Sequence, residues 1–378
     1  MTGPKGTLSL TDEQLACIGS VSNFAGAENA KASQKAHLER DPLRIPLLLM
    51  QDVIHGCRTI YPVPLALGAS FDTEIAEECS CMAAREAAAA GIHVVFAPMV
   101  DLARDPRWGR CMETTGEDPY LNYQMARAMV RGFQKDLPDG RGVAACIKHF
   151  AAYGQAEAGR DYNTTDMSEQ TLRDYYLPAY RAAVEEGAKM VMTSFNALNG
   201  IPSAGNKRLV KGILREEWGF DGVVISDYDA VLEMRAHGYC ETERDCAEKA
   251  MNATTDIEMM PASYLHCIPD LLKEGRLPMC RVDDAVRRVL QLKENLGLFD
   301  DPYRAASAAE EERLFLCAEH REIARRAAEA SAVLLKNEGV LPFDKVRTKS
   351  IAVIGPFADR AMLGNWACYG REEEGISV

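Results

Sequence analysis

Residues 222–229 read "GVVISDYD", a short apolar run that ends in two carboxylates, Asp227 and Asp229. The run shows no strict alternation of apolar and polar residues, which is typical of a strand in a parallel sheet covered on both faces. Charges placed directly after such a strand need a polar partner or a ligand, because an unpaired buried charge is costly. The stretch therefore predicts a buried parallel strand whose C-terminal end carries a polar site.

Similar apolar runs recur along the chain, with helical patterns between them. They are "RIPLLLM" (44–50), "HVVFAPM" (93–99), "GVAACIKHF" (142–150) and "AKMVMTSF" (188–195), with weaker candidates at "ACIGSV" (16–21) and "TDIEMM" (255–260). Asp118 is placed to cap a helix that has Pro119 in its first turn, and Ser168 is placed to cap another. Strands that alternate with helices predict βα units and a parallel sheet.

The fold class that fits this alternation is α/β, as a (β/α)8 TIM-like barrel. A closed barrel is favoured over an open sheet because no Gly-rich phosphate loop follows any of the early strands. Only six or seven strands are recognisable, so an incomplete or distorted barrel stays an alternative.

The alternation of apolar runs with helical patterns changes after residue 300. We predict a barrel domain over residues 1–300 and a linker with a helix over residues 301–330. "ASAVLLKNEGVLPF" (330–343) and "SIAVIGPFAD" (350–359) resemble the opening of a second α/β domain, of which residues 331–378 would form an incomplete N-terminal part of a sandwich.

Composition narrows the classes of partner and compartment. The formal net charge of -13 argues against nucleic acid or an anionic membrane surface as the main partner. The sequence has no apolar segment of signal-peptide or membrane-spanning type, so we expect a cytoplasmic protein. Its twelve cysteines are scattered without C-x-x-C spacing, and no clustered ligand pattern occurs, so we expect neither a metal nor a cofactor.

Ionisable residues follow the predicted strands. Asp52, Asp101, the Lys148–His149 pair and Asp227 each come at the end of an apolar run. In a barrel, the C-terminal ends of the strands and the loops that follow them form the active site. Carboxylates beside cationic donors suit a ligand rich in hydroxyl groups, although each residue alone also has a structural explanation.

The longest polar loop that contains a tryptophan is "DLARDPRWGRCMETTGEDPY" (101–120). Long loops at a barrel mouth are commonly functional. On this interpretation Arg110 donates to ligand hydroxyls and Trp108 forms a packing wall. The alternative is a salt-bridged surface loop.

Six segments together resemble glycoside hydrolase family 3, and its bacterial β-glucosidase and β-xylosidase branch in particular. They are "QDVIHGCRTIYPVPLALGASFD", "DPRWGRCMETTGEDP", "KHFAAYGQAEAGRDYN", "MTSFNALNGIP", "LREEWGFDGVVISDY" and "VLLKNEGVLPF". The resemblance runs in order from about residue 19 to residue 366. It implies that Asp227 is the nucleophile. It also implies that the sugar at the cleavage subsite is bound by Asp52, Arg110, Lys148, His149 and Phe195.

The activity implied by the resemblance is that of a retaining, exo-acting β-glycosidase. Such an enzyme removes terminal non-reducing sugars from a β-linked oligosaccharide or glycoside through a covalent glycosyl-enzyme. In multidomain members the acid/base is a Glu of the second domain, which this chain would not complete. Single-domain members use a His in "KHFPGHG", where this sequence reads "KHFAAYG" with Tyr153. Glu113 and Glu157 are weaker alternatives for the acid.

Two further departures from the family pattern lie beside the nucleophile. Tyr228 replaces a tryptophan, which reduces the aromatic wall, and Asp229 replaces a small residue. For Asp229 we favour a structural role as a helix N-cap over a catalytic one.

Two interpretations of the sequence other than an active glycosidase remain. The chain can be a catalytically impaired, sugar-binding pseudoenzyme fragment. It can also be an aldolase-like barrel in which Lys148 forms a Schiff base, which is a common use of a buried lysine.

Overall fold

Parallel strands form the centre of the protein in a computed structural model that describes residues 10–11, 14–15, 18–23 and 26–376. The strands are β1 (Ser20–Ser22), β2 (Leu48–Gln51), β3 (Val94–Val95), β4 (Ala144–Phe150), β5 (Met190–Thr193), β6 (Ala197–Leu198), β7 (Ile201–Pro202) and β8 (Val223–Ile225). The sheet order is β1-β2-β3-β4-β5-β8, all parallel, while β6 and β7 form a separate antiparallel hairpin. The predicted parallel sheet is confirmed, and the first two residues of the run at 16–21 lie outside the described residues.

Helices follow most of the strands. They are α1 (Ala27–Arg40), α2 (Pro64–Ser70), α3 (Thr73–Ala89), α4 (Pro119–Gln134), α5 (Glu169–Thr171), α6 (Pro178–Glu185), α7 (Glu243–Asn252), α8 (Ser263–Lys273), α9 (Met279–Asn295), α10 (Ala308–Leu314) and α11 (Ala318–Ala330). Two π-helical segments occur, Leu172–Tyr176 and Arg208–Glu217. None of the helices in the described ranges combines the length and apolar character needed to cross a bilayer.

The two predicted helix caps are present. Asp118 accepts a hydrogen bond from the backbone N–H of Leu121 at 2.7 Å, ahead of Pro119 in α4. Ser168 accepts from the backbone N–H of Thr171 at 3.1 Å. Each cap satisfies one of the backbone donors that a helix start leaves unpaired.

Alternate residues of each strand face opposite sides of the sheet, as the two-residue period of a strand requires. One set packs into an apolar cluster that contains no residue of α3, α4 or α6. Its members on or next to the strands are Leu48, Met50, Val94, Phe96, Ala144, Cys146, Met190, Met192, Val223 and Ile225. The other set packs with those helices: Val95, Ala145, Ile147, Val191 and Val224. The sheet therefore curls around its own apolar interior and carries the helices outside, as in a TIM-like barrel.

The barrel is incomplete, which confirms the alternative to a closed one. The predicted strand at 255–260 reduces to a single parallel bridge between Ile225 and Ile257. Beyond it, Leu292 of α9 and Leu296 directly after α9 pack into the barrel interior. A helix thus covers apolar residues that a full set of eight strands would enclose.

The C-terminal part of the chain behaves differently from its predicted pattern. From Ser331 to Arg371 the structure has neither a helix nor a strand, so the runs at 330–343 and 350–359 do not form the expected strands. Leu335 and Ile354 are each 91% exposed. A strand needs a neighbour for its backbone groups, and the described chain supplies none here. The division of the chain at residues 300 and 330 stays a prediction.

Residues 364–374, which we name the C-terminal strap, return to the barrel and lie against the loop after β2. The backbone N–H of Tyr369 donates to the carbonyl of Cys57 at 2.8 Å. The Nε2 of His55 lies 2.8 Å from the carbonyl oxygen of Asn365. The strap is therefore held next to the strand end that carries Asp52.

Candidate active site

The ionisable residues that follow the predicted strands lie together at the C-terminal edge of the sheet. Asp52 comes directly after β2, and Lys148 and His149 lie near the end of β4. Asp101 follows β3, and Asp227 follows β8 by two residues. Because the strands are parallel neighbours, their ends bring these side chains to one place.

Lys148 and Asp52 form a close ion pair. The Nζ of Lys148 is 2.7 Å from Oδ1 of Asp52, with the side chains 4% and 17% exposed. The pair compensates the charge of the lysine in this largely buried setting. It leaves the second carboxylate oxygen and two ammonium N–H groups for other partners, which is the donor and acceptor set that neighbouring hydroxyls require.

His149 is fixed by Asp101 behind it. Nδ1 of His149 is 2.8 Å from Oδ2 of Asp101, which also accepts from the backbone N–H of His149 at 2.8 Å. The hydroxyl of Tyr180 donates to the other oxygen of Asp101 at 2.9 Å. These contacts set the orientation of the imidazole, so that Nε2 faces the strand ends.

Burial controls the protonation of this pair. Desolvation lowers the pKa of His149 well below its ordinary value, and the positive charges of Arg110 and Lys148 act in the same direction. Desolvation raises the pKa of Asp101 to about 7, against the hydrogen bonds from His149 and Tyr180. The imidazole is therefore neutral at neutral pH and has one N–H to donate.

Asp227 is buried beside the free nitrogen of His149. Its Oδ1 accepts from the backbone N–H of Tyr228 at 2.6 Å, and its Oδ2 is 3.3 Å from Nε2 of His149. Desolvation raises the pKa of Asp227 to about 6, although Lys148 and Arg110 oppose the shift. Within the described ranges neither Oδ2 nor Nε2 has a hydrogen-bond partner. Buried polar atoms are rarely left unpaired, so this pair points to a ligand.

Arg110 is held by Glu113 in a two-pronged contact. Nε and Nη2 of Arg110 lie 2.8 and 2.9 Å from the two oxygens of Glu113, and the guanidinium stands 5.7 Å from the centre of the Tyr153 ring. Burial opposes the charged form of Arg110, but the hydrogen bonds and charge of Glu113 keep its pKa above the ordinary value. Both oxygens of Glu113 are thus occupied, which makes it a poor candidate for an acid.

An aromatic wall stands next to His149. The ring of Phe195 lies 6.4 Å from His149, 5.7 Å from Tyr153 and 4.5 Å from Tyr162, measured between ring centres. Phe195 itself is buried, and Tyr162 is 47% exposed. Apolar faces beside a few converging polar groups are the usual composition of a small-molecule pocket.

Trp108 does not line this wall, contrary to the prediction that it forms a packing wall for the ligand. It is 1% exposed, packs edge-on against Tyr153 at 5.0 Å, and donates from Nε1 to Oδ1 of Asp161 at 2.9 Å. Trp108 therefore supports Tyr153 from behind.

Asp229 is not the helix N-cap that we expected. It lies in the left-handed region at φ 64°, and its backbone N–H donates to the carbonyl of Met259 at 2.8 Å. Its Oδ1 has no hydrogen-bond partner in the part of the chain described. A left-handed residue turns the chain sharply after β8, and the next helical turn, Leu232–Arg235, begins only three residues later with Val231 at its N-cap.

Glu233 was not recognised in the sequence. Its Oε2 is buried without a hydrogen-bond partner among the described residues. Desolvation and the negative charges of Asp229, Asp227 and Asp161 raise the pKa of Glu233 to about 7. The only signal in the sequence is its position on the turn Leu232–Arg235 shortly after Asp227.

In the described ranges, other parts of the fold carry less chemistry than these strand ends. Among the described residues no group of three or more His, Cys, Asp or Glu side chains is arranged to hold a metal ion. A cavity of about 570 Å³ lies at the opposite end of the barrel, lined by residues that include Arg85 and Asp139. Arg85 is already paired with Asp136 at 2.6 Å. The strand ends therefore remain the candidate site.

Comparison with known proteins identifies the family of the chain. Residues 8–292 match the family model described as "Glycosyl hydrolase family 3 N terminal domain". A periplasmic beta-glucosidase of Salmonella typhimurium is 40% identical over 368 residues, covering 96% of this chain and 48% of its own length. A putative beta-xylosidase of Formosa agariphila is 34% identical over 333 residues, covering 85% and 44%.

Solved structures give the same result. The beta-glucosidase of Listeria innocua in complex with glucose superposes with a TM-score of 0.94 at 47% identity, covering 98% of this chain and 52% of its own. Its complex with isofagomine gives a TM-score of 0.95 at 46% identity, covering 100% and 54%. The chain thus spans about half the length of the relatives that it matches.

Proposed function

The chain belongs to glycosyl hydrolase family 3, and from that premise we propose that it carries the nucleophile and sugar-binding half of a retaining, exo-acting β-glycosidase. The observation that carries the proposal is the unpartnered Oδ2 of Asp227, 3.3 Å from the unpartnered Nε2 of His149. A hydroxyl-rich sugar would satisfy both atoms. The Asp52–Lys148 pair would bind further hydroxyls of the same ring.

In the proposed first step, Oδ2 of Asp227 forms a bond to the anomeric carbon while the bond from that carbon to the leaving oxygen breaks. The leaving oxygen takes a proton from an acid, and water later releases the sugar from Asp227. A pKa of about 6 leaves Asp227 ionised at neutral pH, as a nucleophile needs to be. Lys148 and His149 would bind hydroxyls more strongly as positive charge develops on the ring.

We expect the acid/base to come from the part of the relatives that this chain does not span. Glu113 is engaged by Arg110, and Glu157 is an exposed residue on a separate turn. We therefore infer that this polypeptide by itself binds sugar and turns over unactivated glycosides poorly. A non-catalytic sugar-binding role is the alternative, and it predicts no covalent intermediate.

The proposed substrate is a β-linked glycoside with a terminal glucose or xylose. The relatives' names include beta-glucosidase and beta-xylosidase, and a Listeria innocua relative was solved in complex with laminaribiose. The compartment stays a prediction: the sequence favours the cytoplasm, whereas the Salmonella relative is named periplasmic.

The test is intact-protein mass spectrometry after treatment with a 2-deoxy-2-fluoro-β-glucosyl fluoride and its xylosyl counterpart. We expect the mass to rise by one fluorosugar, with the label on Asp227. Asp227→Gly should stay unlabelled, while Asp229→Asn, a matched change two residues away, should still be labelled. An unlabelled parent chain with both reagents would favour the non-catalytic alternative.

The aldolase interpretation has less support. A lysine that forms a Schiff base needs its amine free to attack a carbonyl, whereas Nζ of Lys148 is engaged by the carboxylate of Asp52 at 2.7 Å. Borohydride treatment in the presence of an aldehyde or ketone substrate should leave Lys148 unmodified.

A further inference from the structure

The C-terminal strap brings a third tryptophan of the chain to the candidate site. Beyond the contacts of His55 and Cys57, the Nη1 of Arg58 donates to the carbonyl of Tyr369 at 3.2 Å, and Arg58 forms an ion pair with Glu374. The strap is thus hydrogen-bonded and ion-paired to the loop that follows β2 and begins with Asp52.

Trp366 stands on the strap beside Lys148. The Nζ of Lys148 is 5.7 Å from the centre of the Trp366 ring, within the range of a cation–π contact. The same Nζ holds Asp52 at 2.7 Å. One face of the indole is therefore placed next to the ion pair that we propose to bind sugar hydroxyls.

Trp366 is left half uncovered although it is fixed in place. It is 49% exposed, whereas Trp108, which serves packing, is 1% exposed. A large aromatic surface that is held in position and open to water at the mouth of a polar pocket is typical of a binding surface. Pyranose rings have apolar C–H faces, and aromatic rings supply the matching contact area.

We propose that Trp366 contacts the bound sugar, with its indole against the C–H face of the ring whose hydroxyls are held by Asp52 and Lys148. The proposal rests on the proposed function and adds a binding residue from outside the barrel. Lys148 has two roles on this account, since it binds hydroxyls and holds the indole in place. The ligand class is a single terminal pyranose, for which glucose and xylose are the probes.

Acrylamide quenching of tryptophan fluorescence, with and without saturating glucose or xylose, tests the contact, with sugar binding measured in parallel by titration calorimetry. We expect the sugar to reduce the acrylamide quenching of the parent chain at least twofold. Trp366→Phe should lose this protection and keep most of the affinity, and Trp366→Ala should bind about tenfold more weakly. Trp218→Phe is the matched control and should behave as the parent does.

The outcomes separate the two proposals. Sugar binding by calorimetry with unchanged quenching in the parent would overturn the Trp366 contact and leave the glycosidase proposal standing. Absence of binding of either sugar to the parent would overturn both. If Trp366→Ala does not fold, the contact is tested by comparing how much the sugar reduces acrylamide quenching in the parent chain and in Trp366→Phe.

Discussion

The Nε2 of His149 and the Oδ2 of Asp227 lie 3.3 Å apart, both buried and both without a hydrogen-bond partner in the described part of the chain. Nδ1 of the same imidazole is 2.8 Å from Asp101. A neutral imidazole has one N–H, so it donates either to Asp101 or towards Asp227. A sugar hydroxyl, which both donates and accepts, can satisfy both sides at once.

The first prediction concerns pH. Asp227 attacks as the carboxylate, and burial raises its pKa to about 6. The rate of inactivation by the 2-fluoro glycoside should therefore rise between pH 5 and pH 7 with a midpoint near 6, and then level off. Mass spectrometry of quenched samples measures the rate. A profile that is flat from pH 5 to pH 7 would contradict this.

The second prediction concerns stability. The folded chain binds the Asp227 proton more tightly than the unfolded chain does, because the pKa rises from 3.8 to about 6. The stabilisation from this proton is complete below pH 3.8 and is lost as pH rises through about 6. Asp227→Asn, which stays neutral, should therefore raise the free energy of unfolding at pH 7 by up to ~3 kcal/mol. Urea titrations at pH 7 and pH 4 measure this. The gain should shrink towards pH 4, and an equal gain at both pH values would speak against the linkage.

The third prediction concerns Lys148. Its charge lowers the pKa of Asp227, so Lys148→Met should move the midpoint of the inactivation profile to higher pH. It should also weaken glucose binding at least tenfold, because hydrogen bonds to a charged group are among the stronger ones. Lys135→Met, which removes an exposed ion pair with Glu77, is the control and should change neither. An unshifted midpoint in Lys148→Met would rule out the electrostatic coupling.

The fourth prediction concerns the acid. A good leaving group needs little protonation, so a dinitrophenyl β-glucoside should release a burst of phenol, while a disaccharide such as laminaribiose should react very slowly. We expect Glu233→Gln to leave both the burst and the slow laminaribiose reaction unchanged, because the burst needs no acid and Glu233 is not the proposed acid for the disaccharide. Rapid laminaribiose hydrolysis by the parent that Glu233→Gln abolishes would instead make Glu233 the acid.

The fifth prediction concerns the exposed apolar residues after α11. Leu335 and Ile354 are each 91% exposed, and apolar surfaces of this kind promote association. The chain should self-associate at tens of micromolar in sedimentation velocity. The double variant Leu335→Lys/Ile354→Lys should be less associated, and Glu39→Lys, which raises the net charge by the same two units at an exposed position, serves as the charge control. A parent chain that is monomeric over this range would disprove the prediction.

The sequence predicted what local patterns determine. The apolar runs became β2, β3, β4, β5 and β8, and their ends assembled Asp52, Lys148, His149 and Asp227 as the barrel geometry requires. Asp118 and Ser168 cap helices because a cap depends only on the next three residues. The caps and the apolar runs are visible in the local sequence, and the barrel geometry then predicts that the strand ends meet.

What the sequence did not predict depends on contacts between distant residues. The runs at 330–343 and 350–359 have strand-like composition, but strands form only against a partner. The burial of Trp108 depends on Tyr153 and Asp161, and the place of Trp366 depends on the docking of the strap against His55 and Cys57. No local pattern encodes such contacts.

The contact between His55 and Asn365 joins residues that are 310 positions apart. During translation at about 5 to 20 residues per second, the ribosome adds the strap roughly 15 to 60 s after the loop that receives it. The barrel can fold in that interval, but the edge of the site beside Asp52 is then not yet covered by the strap. A nascent barrel is therefore open to proteases and chaperones at this loop until the last residues of the strap emerge.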